Sequence, residues 1–581
     1  MPKPKPDLRL DDIWDDDEID VGTVRTSFSL TNVASALVPD ATPVKGARQH
    51  SAHSKRASLG WGSPSSPSLL LGARKSSLSR SQTLPRTASV RSRRPSILDS
   101  LSVDADKMRR WILGIAVVNF DIDHGPVVDG IYPPLFLYPD EIENIAFSSF
   151  PDSAQFEQGA QAHSFRIRED EAIGNEKRPP TIDGFIYGFA HFSQRKDASI
   201  KRGYQQRSVV ILTHHQYPAL FSAVMSLLGP LYEEHGVPML ESACHNIATW
   251  PPPTPGSTVE LGFLGNVITA QIPRTIDEQQ ALDPSVAERL VNASLQTMIP
   301  ATAASLLPPA ILLFEASLPH IWSIWECLVL NEPILLFGSS PAETSQAVWW
   351  LRDLMRPIPL AGDIRPYFTI HDRDHLALVN KLPPKSGLLL GVTNPFFERS
   401  CAHWPHILSL GYRNSIAMHP SKGGSAGIAQ ATAGPRPGWK TKTHKRYVSK
   451  DRSLLKQLES ACEKGGEVKL LQASLLLRRH FCTRTTELLL PLSRYLNSLI
   501  PTPAEVASAH VTHHPPPPLR LKPFNTTHFF ASLKAHGTTL PFRSSGRRVE
   551  FYERWLKTPA FGLWLAQQEE VVIDVLSQAG R

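Results

Sequence analysis

Residues 333–355 read PILLFGSSPAETSQAVWWLRDLM, and the order of residue types in this stretch carries the fold. Pro333 to Gly338 is a short apolar run bounded by a proline and a glycine, which predicts a buried strand. Ser340 follows as a helix N-cap, with Pro341 at the first helical position and Glu343 three residues after the cap. The helix it opens runs through Trp349, Trp350 and Leu351 towards Met355. Downstream, Pro366–His371 (PYFTIH) and Leu388–Thr393 (LLLGVT) read as further strands, separated by a helical Asp374–Asn380. Upstream, Phe314–Leu330 reads as a buried helix. Strands alternating with helices of this length predict a three-layer α/β unit with a mostly parallel sheet.

Working outward towards the N-terminus, a linker rich in Ala and Gln ends at Pro308-Pro309, and a second ordered unit precedes it. Trp111–Phe120 (WILGIAVVNF), Phe185–Phe192 (FIYGFAHF) and Ser208–Thr213 (SVVILT) read as strands rich in β-branched and aromatic residues. Pro218–Glu234 carries apolar residues at spacings of three and four, the signature of an amphipathic helix. Val259–Ile272 reads as a hairpin around Gly265-Asn266. This is an α+β module. Residues 1–107, rich in Ser, Pro and Arg, read as a disordered tail.

Towards the C-terminus the pattern turns helical. Val468–Ile500 keeps Leu470, Leu471, Leu475, Leu476, Phe481, Leu488, Leu489 and Leu492 on a helical period, with a bend or break expected at Pro491. Val549–Leu576 reads as two closing helices. The resulting division is a tail (1–107), an α+β module (108–273), a linker (274–309), a central α/β module (310–412), a basic low-complexity insert (413–450) and a helical module (451–581).

The 581 residues carry a formal charge of +7, and where it sits matters more than its size. Lys45–Ser96 holds 11 Lys and Arg with no acid, and Arg413–Lys450 holds 8 more, again with no acid. Removing those 19 positive charges leaves −12 for everything else. A nucleic-acid-binding domain places its basic stripe on the folded surface, so nucleic acid is excluded as a partner. The five cysteines stand far apart with no C-x-x-C, which argues against a disulfide scaffold or a cysteine-rich zinc module. Met1–Leu10 lacks the apolar core of a signal peptide, and the most apolar stretch, Leu306–Phe337, is broken by Glu315, Pro319, His320, Glu326, Asn331 and Pro333. A soluble cytoplasmic chain is expected.

Catalytic signatures are absent. The sequence has no G-x-x-x-x-G-K-[ST], no G-x-S-x-G and no H-E-x-x-H. The densest polar cluster, His371-Asp372-Arg373-Asp374-His375, has two His at helical spacing and could hold a metal. A helix cap with flanking surface charge explains it more simply. His403-Trp404-Pro405-His406 invites the same thought, but the proline spoils the spacing. In the tail, the acidic run Asp11–Asp20 reads as a solvated segment or a docking motif. Arg80-Ser81-Gln82-Thr83-Leu84-Pro85 fits a phosphopeptide pattern of the kind read by 14-3-3 proteins. Arg86–Ser89 and Arg93–Ser96 resemble kinase sites whose phosphorylation would add roughly −1.5 to −2 charges each.

Several blocks, in order, resemble the tripartite DENN-domain family, and its DENN domain-containing protein 6 subgroup in particular. They are Val117–Asp121, Ser149–Ser153, Tyr187–Phe189, Lys201–Tyr204, Leu240–Cys244 with Trp250-Pro251, Trp325-Glu326, Gly338–Pro341, Arg365–Asp372, and Gly391–Phe397 with His403–His406. The resemblance covers about residues 111–565. It implies a longin-like upstream module, a central α/β DENN module and a helical downstream module. It also implies a guanine nucleotide exchange factor that promotes GDP release from a Rab-family GTPase in endosomal or vesicle trafficking, without covalent chemistry and with no cofactor on this chain.

On that reading the GTPase sits in the cleft between the first two modules. The expected contacts are Asn119, Asp121, Lys201, Arg202, Tyr204, Arg365, Asn394, Phe396 and Phe397. For each there is a structural alternative, with Phe396 and Phe397 as core plugs and Arg365 as an anchor for a carboxylate. The competing functional class is a non-catalytic Rab effector or trafficking scaffold, and a third is a metal-dependent hydrolase built on His371–His375. The basic segments suggest peripheral recruitment to anionic endosomal or vesicle membranes, or solvated linkers.

Overall fold

The computed structural model describes residues 104–579 apart from 153–157, 171–177, 202, 283–284, 292–297, 413–433, 503 and 506–519. The described residues from Asp104 to Glu570 form one compact unit, while the end of the last helix, from Val571, belongs to a second unit. The protein is a mixed α/β fold with a helical C-terminal region.

A short helix α1 (Ala105–Met108) leads into a five-stranded antiparallel sheet of order β2-β1-β5-β4-β3. Its strands are β1 (Gly114–Asp121), β2 (Gly125–Tyr132), β3 (Gly159–Arg168), β4 (Phe185–Lys196) and β5 (Tyr204–Thr213). Helix α2 (Pro139–Ser148) covers one face, packing Ile145, Ala146 and Phe150 against Ala116, Val118, Phe165, Ala190 and Val210. Helices α3 (Pro218–His235) and α4 (Val237–Thr249) cover the other. With both faces buried, the central strands lose the polar alternation of a half-exposed sheet: β4 is buried over ten consecutive residues. Strands β2 and β3 escape the sequence reading, because β2 has mixed burial and β3 opens on exposed Gly and Ala.

The expected hairpin is present as β6 (Thr258–Phe263) and β7 (Asn266–Gln271). Leu264 and Gly265 both have positive φ, 46° and 79°, the geometry of a tight two-residue turn between twisted strands. The two-residue β8 (Ile299–Pro300) joins its edge, and helix α5 (Val286–Val291) lies in the linker.

The central sheet has order β10-β11-β9-β12-β13. Strands β9 (Ile334–Phe337), β10 (Ile364–Arg365), β11 (Leu389–Val392) and β12 (His406–Ser409) are parallel, and β13 (Gly438–Thr441) is antiparallel at the edge. Helix α8 (Pro341–Leu354) follows β9, with Ser340 Oγ accepting from the Glu343 amide as the cap. Gly391 allows the close packing here. A Cβ there would lie 2.4 Å from the Pro366 carbonyl oxygen and 2.7 Å from Thr344.

Several expectations are corrected. The strand predicted at Pro366–His371 is shifted to Ile364–Arg365, and PYFTIH is irregular, with Tyr367 and Phe368 serving as core anchors. The helix predicted at 314–330 is interrupted: α6 (Ala310–Leu313), a 3₁₀ segment through Pro319, then α7 (Ile321–Val329). Only His375–Leu378 (α9) of the helical 374–380 forms, and a short α10 (Phe396–Ser400) follows β11. The basic insert is not uniform, since β13 and the Val448–Phe542 bridge lie within or at the end of it.

Helix α11 (Arg452–Lys464) precedes α12 (Glu467–Asn497), which runs unbroken through Pro491, where a bend or break is expected from the sequence. Helices α13 (Thr526–His536), α14 (Ser545–Trp555) and α15 (Pro559–Ala579) complete the fold. One hydrophobic core runs from Trp111 through Trp322, Trp325 and Trp350 to Phe481, Trp555 and Trp564. Among the described residues no helix is long and apolar enough to cross a membrane.

Candidate functional site

The two α/β modules meet along β3, the edge of the antiparallel sheet. An edge strand presents unpaired backbone groups that must be covered, and here α8 and β10 cover them. Trp349 Nε1 donates to Ser164 Oγ at 2.8 Å, and the Ser164 amide donates to Ser345 Oγ at 3.2 Å. Three arginines then cross the junction. Arg166 Nη1 donates to the Ile364 carbonyl at 3.1 Å and Nη2 to Asp183 at 3.0 Å. Arg168 reaches Asp374 at 2.9 Å and Asp363 at 3.2 Å. Arg365 grips Asp363 at 2.7 and 3.0 Å and contacts Asp374 and Asp372. All three guanidinium groups stand over the Phe185 ring, at 3.5, 4.7 and 4.9 Å from its centroid. Burial would lower the Arg365 guanidinium, but the charges and hydrogen bonds of Asp363, Asp372 and Asp374 outweigh it and raise it. For Asp374 the burial that would raise the carboxyl is outweighed by Arg365 and Arg168, which lower it.

Above this buried lattice, Tyr367 fastens the loop after α2. Its hydroxyl accepts from the Asp152 amide at 2.7 Å and donates to the Phe150 carbonyl at 3.1 Å. Asn394 Nδ2 donates to Asp152 Oδ2 at 3.2 Å, and its own Oδ1 accepts from the Phe396 amide at 2.9 Å. Burial pushes the Asp152 carboxyl up, against the opposing pull of Asn394 and His371.

The solvent side of the junction is a rim shared by both modules. The β1–β2 turn presents Ile122, 55% exposed, and at its end Gly125 lies beside Phe147. Phe147 stacks on His371 with ring centroids 3.9 Å apart. Ile370, Phe396 (49% exposed) and Leu376 (83% exposed) extend the apolar surface onto the central module, with Phe396 against His375. Exposed apolar side chains gathered at the seam of two modules, bordered by polar groups, are the usual mark of a partner surface.

The predicted contact residues separate into three groups. Asn119, Asp121 and Tyr204 lie at one end of the antiparallel sheet, where Asn119 pairs opposite Arg207. Asn119 Oδ1 accepts from Arg207 Nε at 2.8 Å, and Asp121 caps the amides of Asp123 and His124. Lys201 is exposed in the β4–β5 turn, and Arg202 lies outside the described residues. Asn394 and Phe396 sit on the rim. Arg365 and Phe397, by contrast, are fully buried, so neither offers a side chain to a partner. Arg365 balances three carboxylates, and Phe397 packs with Phe368, Trp404 and Val392.

The metal reading of His371–His375 fails on geometry. His371 stacks on Phe147, His375 lies among Phe368, Phe396 and Phe397, and Asp372 faces Arg365, so the described residues gather no ligand set there. Sequence reasoning missed Ile122, Ile370 and Leu376 as rim residues. The available signal was an isoleucine set between Asp121 and Asp123 in a turn that is otherwise polar.

No family model matches the chain. It is nonetheless similar along most of its length to curated proteins. Protein DENND6B of Mus musculus is 31% identical over 484 residues, covering 80% of each chain. Protein DENND6B of Homo sapiens is 31% identical over 478 residues, 79% of each chain, and the Protein DENND6 homolog of Dictyostelium discoideum is 29% identical over 551 residues, 83% of this chain and 74% of its own. With such identity spread over four-fifths of both partners, and the antiparallel, central and helical regions in the order that resemblance implies, the chain belongs to the DENN domain-containing protein 6 family.

Proposed function

We propose that the protein is a guanine nucleotide exchange factor for a Rab-family GTPase, acting through the rim shared by the antiparallel and central modules. The observation that carries this reading is that rim: Ile122, Ile370, Leu376 and Phe396 are exposed along a junction whose interior is fixed by Arg166, Arg168, Arg365 and Trp349. Exchange is catalysis by differential binding: the chain holds the nucleotide-free GTPase more tightly than the GDP-bound form. A thousandfold faster release corresponds to about 4 kcal/mol of such preference, within reach of a few well-packed side chains. Displacing the switch loops that retain nucleotide and Mg²⁺ supplies the route.

Asn119, Asp121, Lys201, Arg202, Tyr204, Asn394 and Phe396 remain proposed contacts. The basic segments fit peripheral recruitment to anionic endosomal or vesicle membranes, at about 1 kcal/mol per cation near the surface. A phosphopeptide-binding regulator acting on Arg80–Pro85 belongs to the same proposal, and that motif lies outside the described residues.

The test is release of a fluorescent GDP analogue from a panel of Rab GTPases by the full chain. Strong acceleration for one or two of them is expected. No acceleration of any GTPase by folded chain rejects exchange, and tight binding to a GTP-bound Rab without faster release selects the effector reading.

A further inference from the structure

Away from the rim, three separated segments bring soft and hard donors together in the interior. Cys327 lies on α7 and is fully buried, Glu332 lies in the loop before β9, and His444 lies just past β13. One ligand atom from each lies within 4.8 Å of the others. A point between three atoms so spaced is at most about 2.8 Å from each, against bond lengths of about 2.0 to 2.3 Å for zinc. At that bound, each donor would move in by about 0.5 to 0.8 Å to reach bonding distance.

A further observation points to a ligand. His444 Nε2 bonds Glu326 Oε2 at 2.7 Å, while its Nδ1 is buried with no hydrogen-bond partner. A carboxylate on one ring nitrogen, leaving the other free, is how metal-bound histidines are usually held. Glu326 is itself fixed, accepting from the Tyr447 and Val448 amides at 2.9 and 2.5 Å.

We propose that Cys327, Glu332 and His444 form a zinc site. Thiolate, imidazole and carboxylate together select Zn²⁺ over Mg²⁺ or Ca²⁺. Binding forms the sulfur–zinc bond and releases the thiol proton to solvent. The site is structural: it ties α7 to the chain leaving the central sheet, and through the Glu332–Arg554 pair to α14. Spacing could not reveal it, because His444 lies far along the chain from Cys327 and Glu332.

The probe is Co²⁺ added to the full chain purified under reducing, metal-depleted conditions, read by absorbance and elemental analysis. One ion per chain is expected, with a thiolate-to-cobalt charge-transfer band that is displaced by Zn²⁺ and lost in Cys327→Ser but kept in Cys401→Ser. Zinc should also raise the thermal midpoint of the wild-type chain. Should Cys327→Ser not fold, His444→Gln, which keeps a donor for Glu326, is read instead. Absence of the band in folded wild-type chain, or its persistence in Cys327→Ser, overturns the proposal.

Discussion

The junction between the two α/β modules has an inside and an outside built from neighbouring residues with opposite fates. Phe396 and Phe397 are adjacent in sequence, yet Phe396 is half exposed on the rim and Phe397 is sealed between Phe368 and Trp404. Arg168 is partly exposed at the edge of the charged lattice, and Arg365, bonded to the same Asp374, has no exposed surface. Chemical conspicuousness therefore does not separate contact from scaffold. What separates them is which side of a helical turn, or which edge of a sheet, the backbone offers.

That contrast can be broken by mutation. Arg365→Ala leaves Asp363, Asp372 and Asp374 facing one another without their buried partner, a change worth about 3–5 kcal/mol in urea unfolding. A loss under about 1 kcal/mol would mean that the lattice is not the brace described. Phe397→Ala should cost a similar amount, about 3–5 kcal/mol, by opening a cavity in the core of the central module.

The interior should also respond to acid. Burial holds His163, which packs edge-on to Tyr367 at the junction, down at about 4. His480 is likewise held at about 4 and His214 at about 3, burial again being the leading cause. Below the ordinary histidine value of about 6.5 the unfolded chain takes up protons that the native chain refuses. Stability is therefore full above that value and falls as the pH drops towards 4, by up to about 3 kcal/mol for His163 alone. Thermal midpoints between pH 7 and pH 4.5 would show the decline, and a flat profile would place these rings in water.

The smallest change in stability, and the most informative, is expected on the rim. Phe396→Ala should shift unfolding by less than about 1 kcal/mol yet slow nucleotide release about tenfold, a loss of about 1.4 kcal/mol in transition-state stabilisation. Equal loss of stability in Phe396→Ala and Phe397→Ala would erase the distinction between the two faces.

Much of the architecture was legible because local signals agreed. Ser340, Pro341 and Glu343 specify where α8 begins, and Leu264-Gly265 specifies the β6–β7 turn. Strands β9 and β11 announce themselves as apolar runs because both faces of their sheet are covered. Illegible features depend on tertiary partners. PYFTIH looks like a strand, but Tyr367 and Phe368 point into two different cores and leave the ladder. Pro491 promises a bend or break, and of the two the break does not occur, because α12 continues through it. At the candidate site, the blocks around Asn119, Asn394 and Phe396 stand out in the sequence, while the burial of Arg365 depends on the joined modules and the exposure of Ile122 and Leu376 is set by the turn and the short helix that carry them.

The Tyr367 hydroxyl, holding the Asp152 amide and the Phe150 carbonyl across the seam, has a mechanical consequence. Together with the arginine lattice and the Trp349–Ser164 bond it denies the two modules a hinge. Proteins that work by closing need a few residues free to absorb large backbone rotations. Here the seam is occupied by side chains that would all have to let go at once. If the rim is the exchange surface proposed above, the seam acts as an anvil rather than a jaw, the body reshaped there is the GTPase, and selectivity becomes a question of which partner yields.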